Sequence, residues 1–585
     1  MEDANSKSFE KIKETIPSNP FHHFTKLPPG VHSNLMVCDS IVSIKSCRIY
    51  RNSIISNTFI GPTCMVVNCG FLSTTQTFSS WDFGKLNITV GPESGGGRRL
   101  VLAAENTMID VCRQIRRENE EKYPDQDKTS DILSMNILSK GNVVCDTPTV
   151  QNVYLHESAN IHASTCVTDV TMFPDSLIGN SCTVSNCLLQ WNSAIVGHST
   201  ITNTLLMEQS HCGPSSVVTS SIMGPDVHTS AGEVHASVIG PNTNAHHQSL
   251  VIGALWCLGR GNVGYGANVG SNHTGRLPDQ EAAVGEGTFW GLSCVIKFPV
   301  DLTFAPYSVV AAGTTLTPQR VCMPFSLIVE QENENVIIPG WVIQSSPYTL
   351  ARSEKKYATR RKAKRHNFYT GWQIQNQSII EMCQWARNSL KAGSSDGIGA
   401  NKLTERARNV GISAYSDYIQ HYALRGLFDW LCGLIEKDQS GIELTQLLQS
   451  EFQEIEAVEK FKLFDPIATI DWPSLPWEMK GRDEWAYQKT LLKEEFLNDV
   501  NVFNWIKELL SHLVHLEKDW ARRIHKSKGR DDTRGVQIIP GYKHSHVSAS
   551  DDPVILEANK KAQETEVAVS SLIEKLSKHS TIFRL

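Results

Sequence analysis

Fifteen cysteines are spread over 585 residues, yet no Cys-x-x-Cys pair occurs among them. The five-residue spacings Cys64/Cys69 and Cys182/Cys187 fall inside a regular apolar register, so reduced thiols are expected and a zinc site is not. Cys182, Cys187 and Cys212 take the role of small buried hydrophobes. Long apolar runs are missing too: nothing approaches the ~18 residues of a membrane-spanning helix. The first residues, Met1-Glu-Asp-Ala-Asn, are acidic and have no apolar core, so no signal peptide and a cytoplasmic location are expected. Excess positive charge is lacking, with 55 Lys and Arg against 61 Asp and Glu and a net charge of −6. That balance argues against general nucleic-acid binding. The Gly-rich turn Gly95-Gly-Gly-Arg-Arg99 lacks the Lys and Ser or Thr of a P-loop. The remainder, 40% apolar and 20% charged, is an ordinary globular composition with length for two or three domains.

What the chain does have is a 17-residue repeat. Ile161, Ile178, Ile195 and Cys212 form one column, and Val167, Val184, Ile201 and Val218 a second. Met172, Leu189, Leu206 and Met223 form a third, which reaches Ile239 after one step of 16. Within a turn the columns are spaced 6, 5 and 6, which fits a prism with three short walls, each strand giving one aliphatic side chain to the axis. A sandwich or barrel also has short, evenly spaced strands, but it need not hold one register over four turns. Gly or Asn after the apolar pairs, as in Leu177-Ile-Gly-Asn and Ile195-Val-Gly-His, is expected to turn the corners at positive φ.

Those stretches resemble the hexapeptide-repeat, left-handed β-helix superfamily, which includes bacterial acyltransferases. A fuller resemblance rests on GGGRR at Gly95, GANVGSNHTGRLPDQE from Gly266, Phe289–Gly291, IKFP at Ile296 and YTLARS at Tyr348. It is to a family of long β-helix proteins of unknown function, and it implies the fold without a reaction. The fold class expected is therefore a β solenoid plus α: a left-handed parallel β-helix with an inserted helix and a C-terminal, mostly α-helical domain. The expected organisation is a leader at 1–30 with a helix around Phe9–Ile16, first coils at 31–90, an insertion at 91–140, the main β-helix at 141–344 and a helical domain at 345–585. The insertion should carry a helix from Leu102 to about Glu121, and the polar stretch Lys526–Val554 should be loop. Helical spacing recurs at Ile379, Ile380, Met382, Cys383, Ala386 and Leu390, at Phe503, Ile506, Leu509, Leu510 and Leu513, and at Leu556, Ala562, Leu572 and Leu576. A helical cap over the open solenoid end is the simplest purpose for this region.

Chemistry on such a fold must sit on faces, loops or seams. The richest segment is the 266–281 loop, where His273, Asp279 and Glu281 are the catalytic candidates and Asn272, Arg276 and Gln280 the substrate-binding ones. His273 is a general base at neutral pH, Asp279 or Glu281 orients it, and the Arg276 fork suits carboxylate or phosphate. Arg98 and Arg99 end a turn with the composition of a phosphate-binding nest. Lys297 on an apolar stretch faces an anion or snorkels to solvent. His246 and His247 point to opposite faces of a strand, so at most one serves a given cleft. His198, His211, His228 and His235 lie near corners without ligand spacing, and no metal is expected. The basic run from Arg352 to Arg365, eight Lys or Arg in all, is read as a solvated helix face.

The resemblance to hexapeptide acyltransferases implies a cleft between subunits in which a His takes the acceptor's proton, although no catalytic residue matches position by position. It also implies a homo-oligomer, with a trimer favoured. Two functions are compatible with the sequence. One is a transferase using a phosphate-bearing donor, acyl-CoA or a nucleotide sugar, with a small phosphorylated or sugar ligand and no other cofactor. The other is a non-catalytic scaffold presenting solenoid and helical surfaces to partners. If Asn272, His273 and Arg276 meet the Arg98/Arg99 turn, the enzyme is favoured; if they are dispersed, the scaffold is.

Overall fold

The computed structural model describes residues 30–74 apart from 35 and 44, then 84–92, 97–116, 135–270, 281–365, 373–437, 483–496 and 502–581, with 448, 451–452, 465–467, 472–473 and 475. The chain divides into two compact units. The first holds Met1–Glu286, Trp290–Val300 and Lys362–Asn367; the second holds Gly287–Phe289, Asp301–Arg361 and Phe368–Leu585. The leader helix expected around Phe9–Ile16 lies outside the described residues.

The first unit is built on a parallel β-solenoid. Ile161 pairs with Ile178, Ile178 with Ile195, and Ile195 with Cys212. The second column pairs from Val167 through Val184 and Ile201 to Val218. The third runs from Met172 through Leu189, Leu206 and Met223 to Ile239. Every one of these side chains is 0% exposed, so the 17-residue interval is the packing interval of the axis.

The corners follow the expectation of Gly or Asn and extend it to other short polar residues. Asn152, Asp169, Asn186, Asn203 and Ser220 stack in one corner column, all at positive φ. Their short polar side chains tolerate that conformation by bonding locally: Asn152 Nδ2 donates to Asp169 Oδ1 at 2.8 Å, and Asn186 Nδ2 to Asn203 Oδ1 at 2.6 Å. Gly197 does turn at φ 70°, but in Leu177-Ile-Gly-Asn it is Asn180 that takes positive φ. Gly240 is needed for room instead, since a Cβ there would lie 2.4 Å from Gly259 N and Trp256 O.

One wall is buried on both faces. Tyr154, Thr171, Leu188, Leu205, Ile222 and Val238 alternate with its inward residues, yet are at most 3% exposed. The insertion covers them. It leaves after Phe71–Ser73, which pairs with Thr149–Gln151, and returns at Asn136–Leu138, between Thr58–Ile60 and Tyr154–Leu155. It begins with an antiparallel hairpin, Lys85–Val90 with Arg98–Ala103, followed by helix α1, Met108–Ile115. Gly84 N donates to Thr171 Oγ1 at 3.1 Å, Gln190 Nε2 to the Ala104 and Asn106 carbonyls at 2.8 Å, and Gly91 N to Ala236 O at 2.7 Å. The helix expected from Leu102 thus starts later: Leu102 is in a strand, and Thr107 and Asp110 form a reciprocal capping box that fixes the true start. The period-two burial of Leu86, Ile88, Val90, Leu100 and Leu102 is a strand pattern.

Where this wall ends, rings stack edge to face from coil to coil. Tyr154 and His156 have centroids 4.4 Å apart, His156 and Phe173 4.7 Å, and Phe173 and Trp191 4.7 Å. Among the described residues His156 Nε2 has no hydrogen-bond partner and is shielded from solvent, and burial pushes the imidazole down to about 4. The tail of the basic run docks nearby. Glu208 accepts the backbone N–H groups of Lys364 and Arg365 at 3.0 and 2.8 Å, and Asp226 accepts that of Lys362 at 2.9 Å. The Arg365 guanidinium lies 4.4 Å from the Trp191 ring centroid. The tail from Lys362 is therefore not part of a helix face, since two buried carboxylates hold its backbone, whereas Arg352 to Arg360 lie on the helix Pro347–Arg360 with Arg352 exposed.

The second unit carries the last coils and the later helices. Val309–Val310 pairs with Leu327–Ile328, and the antiparallel hairpin Leu327–Gln331 with Glu334–Ile338 follows. The helices are α2 Trp341–Ser345, α3 Pro347–Arg360, α4 Gln377–Lys391, α5 Glu405–Lys437, α6 Glu484–Phe496, α7 Val502–Ile538, α8 Tyr542–Ser545 and α9 Pro553–Thr581. They cover the final coil: Tyr415 Oη donates to Pro324 O at 2.6 Å, and Tyr418 packs edge-on against Phe325 at 5.1 Å. In α3, Lys355 pairs with Glu557 at 2.8 Å. The loop expected over Lys526–Val554 is instead helix to Ile538. Lys528 and Asp532 pair one turn apart, Asp532 accepts Ala549 N at 2.7 Å, and Ile524 packs with Ala549 and Ile555. Polar composition there marks a helix with one apolar stripe. Leu556 is 52% exposed and Ile555 takes the buried place. Inside the bundle, Glu517 receives His421 Nε2 at 3.1 Å and Arg425 Nη1 at 3.4 Å, with Lys561 Nζ at 4.0 Å. Burial opposes its charge, but the His421 hydrogen bond and these cations prevail, and its carboxyl falls to about 2. Among the described residues no helix is long and apolar enough to cross a membrane.

Candidate functional site

Both excursions leave the solenoid at the same corner. The insertion departs there after Phe71–Ser73; the second excursion departs at Gly270 and returns at Ala282, which pairs with Ala254. Gly270 has φ 103°, and a Cβ would lie 2.3 Å from Ile252 O, so only glycine fits this departure point. The loop between, 271–280, lies outside the described residues, and with it Asn272, His273, Arg276, Asp279 and Gln280. Its roots are placed, and Glu281 is one of them.

Glu281 meets the insertion. Arg98, 183 residues earlier, forms an ion pair with it through Nη2. The hairpin turn also closes on this carboxylate: a Cβ on Gly91 would lie 2.5 Å from Glu281 Oε2. Arg98 Nη1 is 3.5 Å from the Ile115 carbonyl, at the negative end of α1, where a cation is favoured. Arg98 Nε and Glu281 Oε2 have no hydrogen-bond partner among the described residues, and the side chains are 26% and 28% exposed.

The other candidates fall around this pair or away from it. Lys297 follows Ile296, which pairs with Val269, so it sits on the next coil beside Gly270 at the same corner, half-buried. Arg99 is adjacent to Arg98 on a strand, faces the opposite side of the hairpin and is exposed. His246 and His247 belong to another wall, where His246 pairs with Ser230 and His247 turns the corner at φ 61°. His211 and His228 stack at 5.8 Å. Among the described residues no group of three His, Cys, Asp or Glu side chains is placed to hold a metal.

Two residues here are not among the candidates read from the sequence. Cys112, on the buried face of α1, hydrogen-bonds Cys257, which follows the Ala254–Trp256 strand. That bond lowers the Cys257 thiol; burial raises it, and the Arg116 and Arg98 charges lower it further. Elsewhere burial wins, pushing Cys64 and Cys69 up to about 11 and Cys187 to about 12. The only sequence signal was Cys112 within an apolar helical stripe.

A profile of the family described as a domain of unknown function (DUF4954) matches residues 12–371. An uncharacterized protein of Treponema pallidum (strain Nichols) is 31% identical over 137 residues, 23% of this chain. The match spans 19% of that relative's length. A crystal structure from Desulfovibrio desulfuricans G20, provisionally described as an acetyltransferase, is similar over 56% of this chain and 81% of that one, at 8% identity and a TM-score of 0.14.

Proposed function

This chain belongs to the DUF4954 family, and for it we propose a transferase that takes a phosphate-bearing activated donor, a nucleotide sugar or an acyl-CoA, at the corner where the two excursions leave the solenoid. The observation that carries this reading is the Arg98–Glu281 pair, which joins the Gly-rich turn to the root of the 271–280 loop across 183 residues. In this reading Arg98 holds the donor's phosphate, displacing Glu281 from the guanidinium, and Arg276 and Lys297 add positive charge. Asn272 and Gln280 bind the transferred group. His273, oriented by Asp279 or the released Glu281, takes the proton of the acceptor hydroxyl or amine as the acyl or glycosyl carbon moves to it. The leaving thiol or nucleotide departs with its phosphates still on the arginines. Arg99 and His247, on other faces, are left out.

Native mass spectrometry of the protein with a panel of nucleotide sugars and acyl-CoAs tests this. Retained ligand in the wild type, lost in Arg98→Ala with an unchanged circular dichroism spectrum, is the expected result. Binding unaffected by Arg98→Ala would remove this corner from the site.

The scaffold reading has one observation in its favour. Around the end of α7 and beyond, Val536, Ile538, Ile539 and Val547 are 42–72% exposed, an apolar group of the kind that marks contact surfaces. Failure of every donor to bind would favour it.

A further inference from the structure

The wall whose axis column runs through Ile161 and Ile178 carries, on its outer face, a sulfur and an imidazole in contact. The transfer chemistry above uses neither. Cys145 and His162 hold the same position on successive coils, paired in register through the strands Val143–Cys145 and Asn160–His162. Val144 and Ile161 are buried on the axis, so the alternation of a strand points Cys145 and His162 outward. Cys145 Sγ lies 3.2 Å from His162 Nδ1, within hydrogen-bond range for sulfur. Both residues are half-buried, and solvent reaches the pair. Val67 holds this position on the coil before, and Gly179 on the coil after. A Cβ on Gly179 would meet nothing closer than the His162 carbonyl at 3.4 Å, with Leu177 Cδ1 at 4.0 Å. No side chain therefore crowds the imidazole from that coil. Burial and the Asp146 carboxylate push the Cys145 thiol up, so the sulfur rests protonated and needs a base to take its proton as it attacks. Cys38 and Cys166 are half-buried too, but among the described residues neither has a histidine on its sulfur.

We infer that Cys145 and His162 are a nucleophile and its base, and that Cys145 takes an acyl group from a small thioester to become an S-acyl cysteine. With its own proton on Nε2, the imidazole accepts the thiol proton at Nδ1 as Sγ attacks the thioester carbonyl carbon. A bond forms between Sγ and that carbon, and the bond from the carbon to the donor's sulfur breaks. The electron pair leaves on the donor sulfur, which takes the proton from His162 Nδ1 and departs as a thiol. One thioester and one thiol become another thioester and another thiol, with no oxidant or reductant consumed. The surroundings select this class of donor. The nearby backbone N–H groups are already bonded, Ala163 N to Cys145 O at 2.9 Å and Asn180 N to His162 O at 3.0 Å. They give an oxyanion little help, so an activated carbonyl such as a thioester reacts and an amide does not. Val67, Gly179 and Leu177 beside the pair carry no charge and suit an apolar acyl group.

The test uses S-acetyl-N-acetylcysteamine, a thioester without phosphate, so its outcome is independent of the donor site at Arg98. The full-length protein is incubated with it near neutral pH, and intact mass and peptide mapping locate the acetyl group. The expected product carries acetyl on Cys145, released by neutral hydroxylamine as a thioester is, while Cys38 and Cys166 stay free. His162→Gln is expected to slow the reaction about a hundredfold, and Cys145→Ser to abolish it, with circular dichroism spectra unchanged. The inference is overturned if Cys145 gains no acetyl group, or if Cys38 or Cys166 is acetylated as fast in the wild type. An unchanged rate in folded His162→Gln overturns it equally. Should a variant fail to fold, the order of the three thiols in the wild type decides.

Discussion

Replacing His156 by Phe should remove an acid sensitivity built into the solenoid. In the folded chain the ring lies between Tyr154 and Phe173, its Nε2 is shielded without a partner among the described residues, and burial holds the imidazole at about 4 against an ordinary 6.5. The folded ring therefore binds its proton less tightly than the unfolded one. Stability from this residue is complete above 6.5 and is lost as the pH falls toward 4. At pH 5 the unfolded imidazole is almost wholly charged and the folded one almost wholly neutral, which destabilises the fold by about 2 kcal/mol relative to pH 7.5. Phenylalanine keeps the edge-to-face stack, cannot titrate and removes the unpartnered nitrogen. The variant should be at least as stable as the wild type at pH 7.5. Urea unfolding followed by tryptophan fluorescence, at both pH values for both proteins, isolates the difference, because all other titrating groups are shared. If His156→Phe loses as much stability between pH 7.5 and pH 5 as the wild type does, the account of this residue is wrong.

Ile195→Asp should abolish soluble expression: the side chain is 0% exposed between Ile178 and Cys212, so a carboxylate there has no counter-charge. An unchanged melting temperature would contradict this. Glu517→Gln should destabilise the helical unit near neutral pH, with the gap closing as the pH drops from 4.5 toward 2, because the wild-type carboxyl is held at about 2 and its contribution is lost over that window. Melting curves of both proteins at stepped pH measure it, and a gap that stays constant would discount the charge network. Light scattering is expected to give three times the 65.0 kDa chain mass; a one-chain particle would rule out a site shared between subunits.

The solenoid was legible because its axis accepts only apolar side chains at a fixed interval, and strict repetition survives in a single sequence. The corners were legible where Gly or Asn follows an apolar pair, as at Asn180 and Gly197, but not at Asp169 or Ser220, where another short polar residue takes positive φ. The hairpin of Lys85–Val90 with Arg98–Ala103 is hard to read because its alternation flanks a Gly-rich turn and Leu102 also fits the apolar spacing of the helix that follows. The continuation of α7 past Lys526 was hidden by charge: Lys528 and Asp532 look like loop until their one-turn spacing is noticed. At the candidate site Arg98 and Glu281 could be named from composition, but their meeting could not. Cys112 and Cys257 are 145 residues apart, and no spacing rule connects a helix in an insertion with a strand end seven coils later.

The insertion changes what kind of polymer this solenoid is. A stack of coils in which each touches only its neighbours behaves as a one-dimensional array, fraying from its ends and tolerating local melting. Here a single excursion leaves one coil and is fastened in turn at Thr171, Gln190, Ala236 and Glu281. Melting any coil in that span also releases contacts made by the others. The covered length should therefore exchange its amide hydrogens as one cooperative block, while coils before Thr58 exchange independently. At its far end the brace fixes Glu281 against the insertion through Arg98.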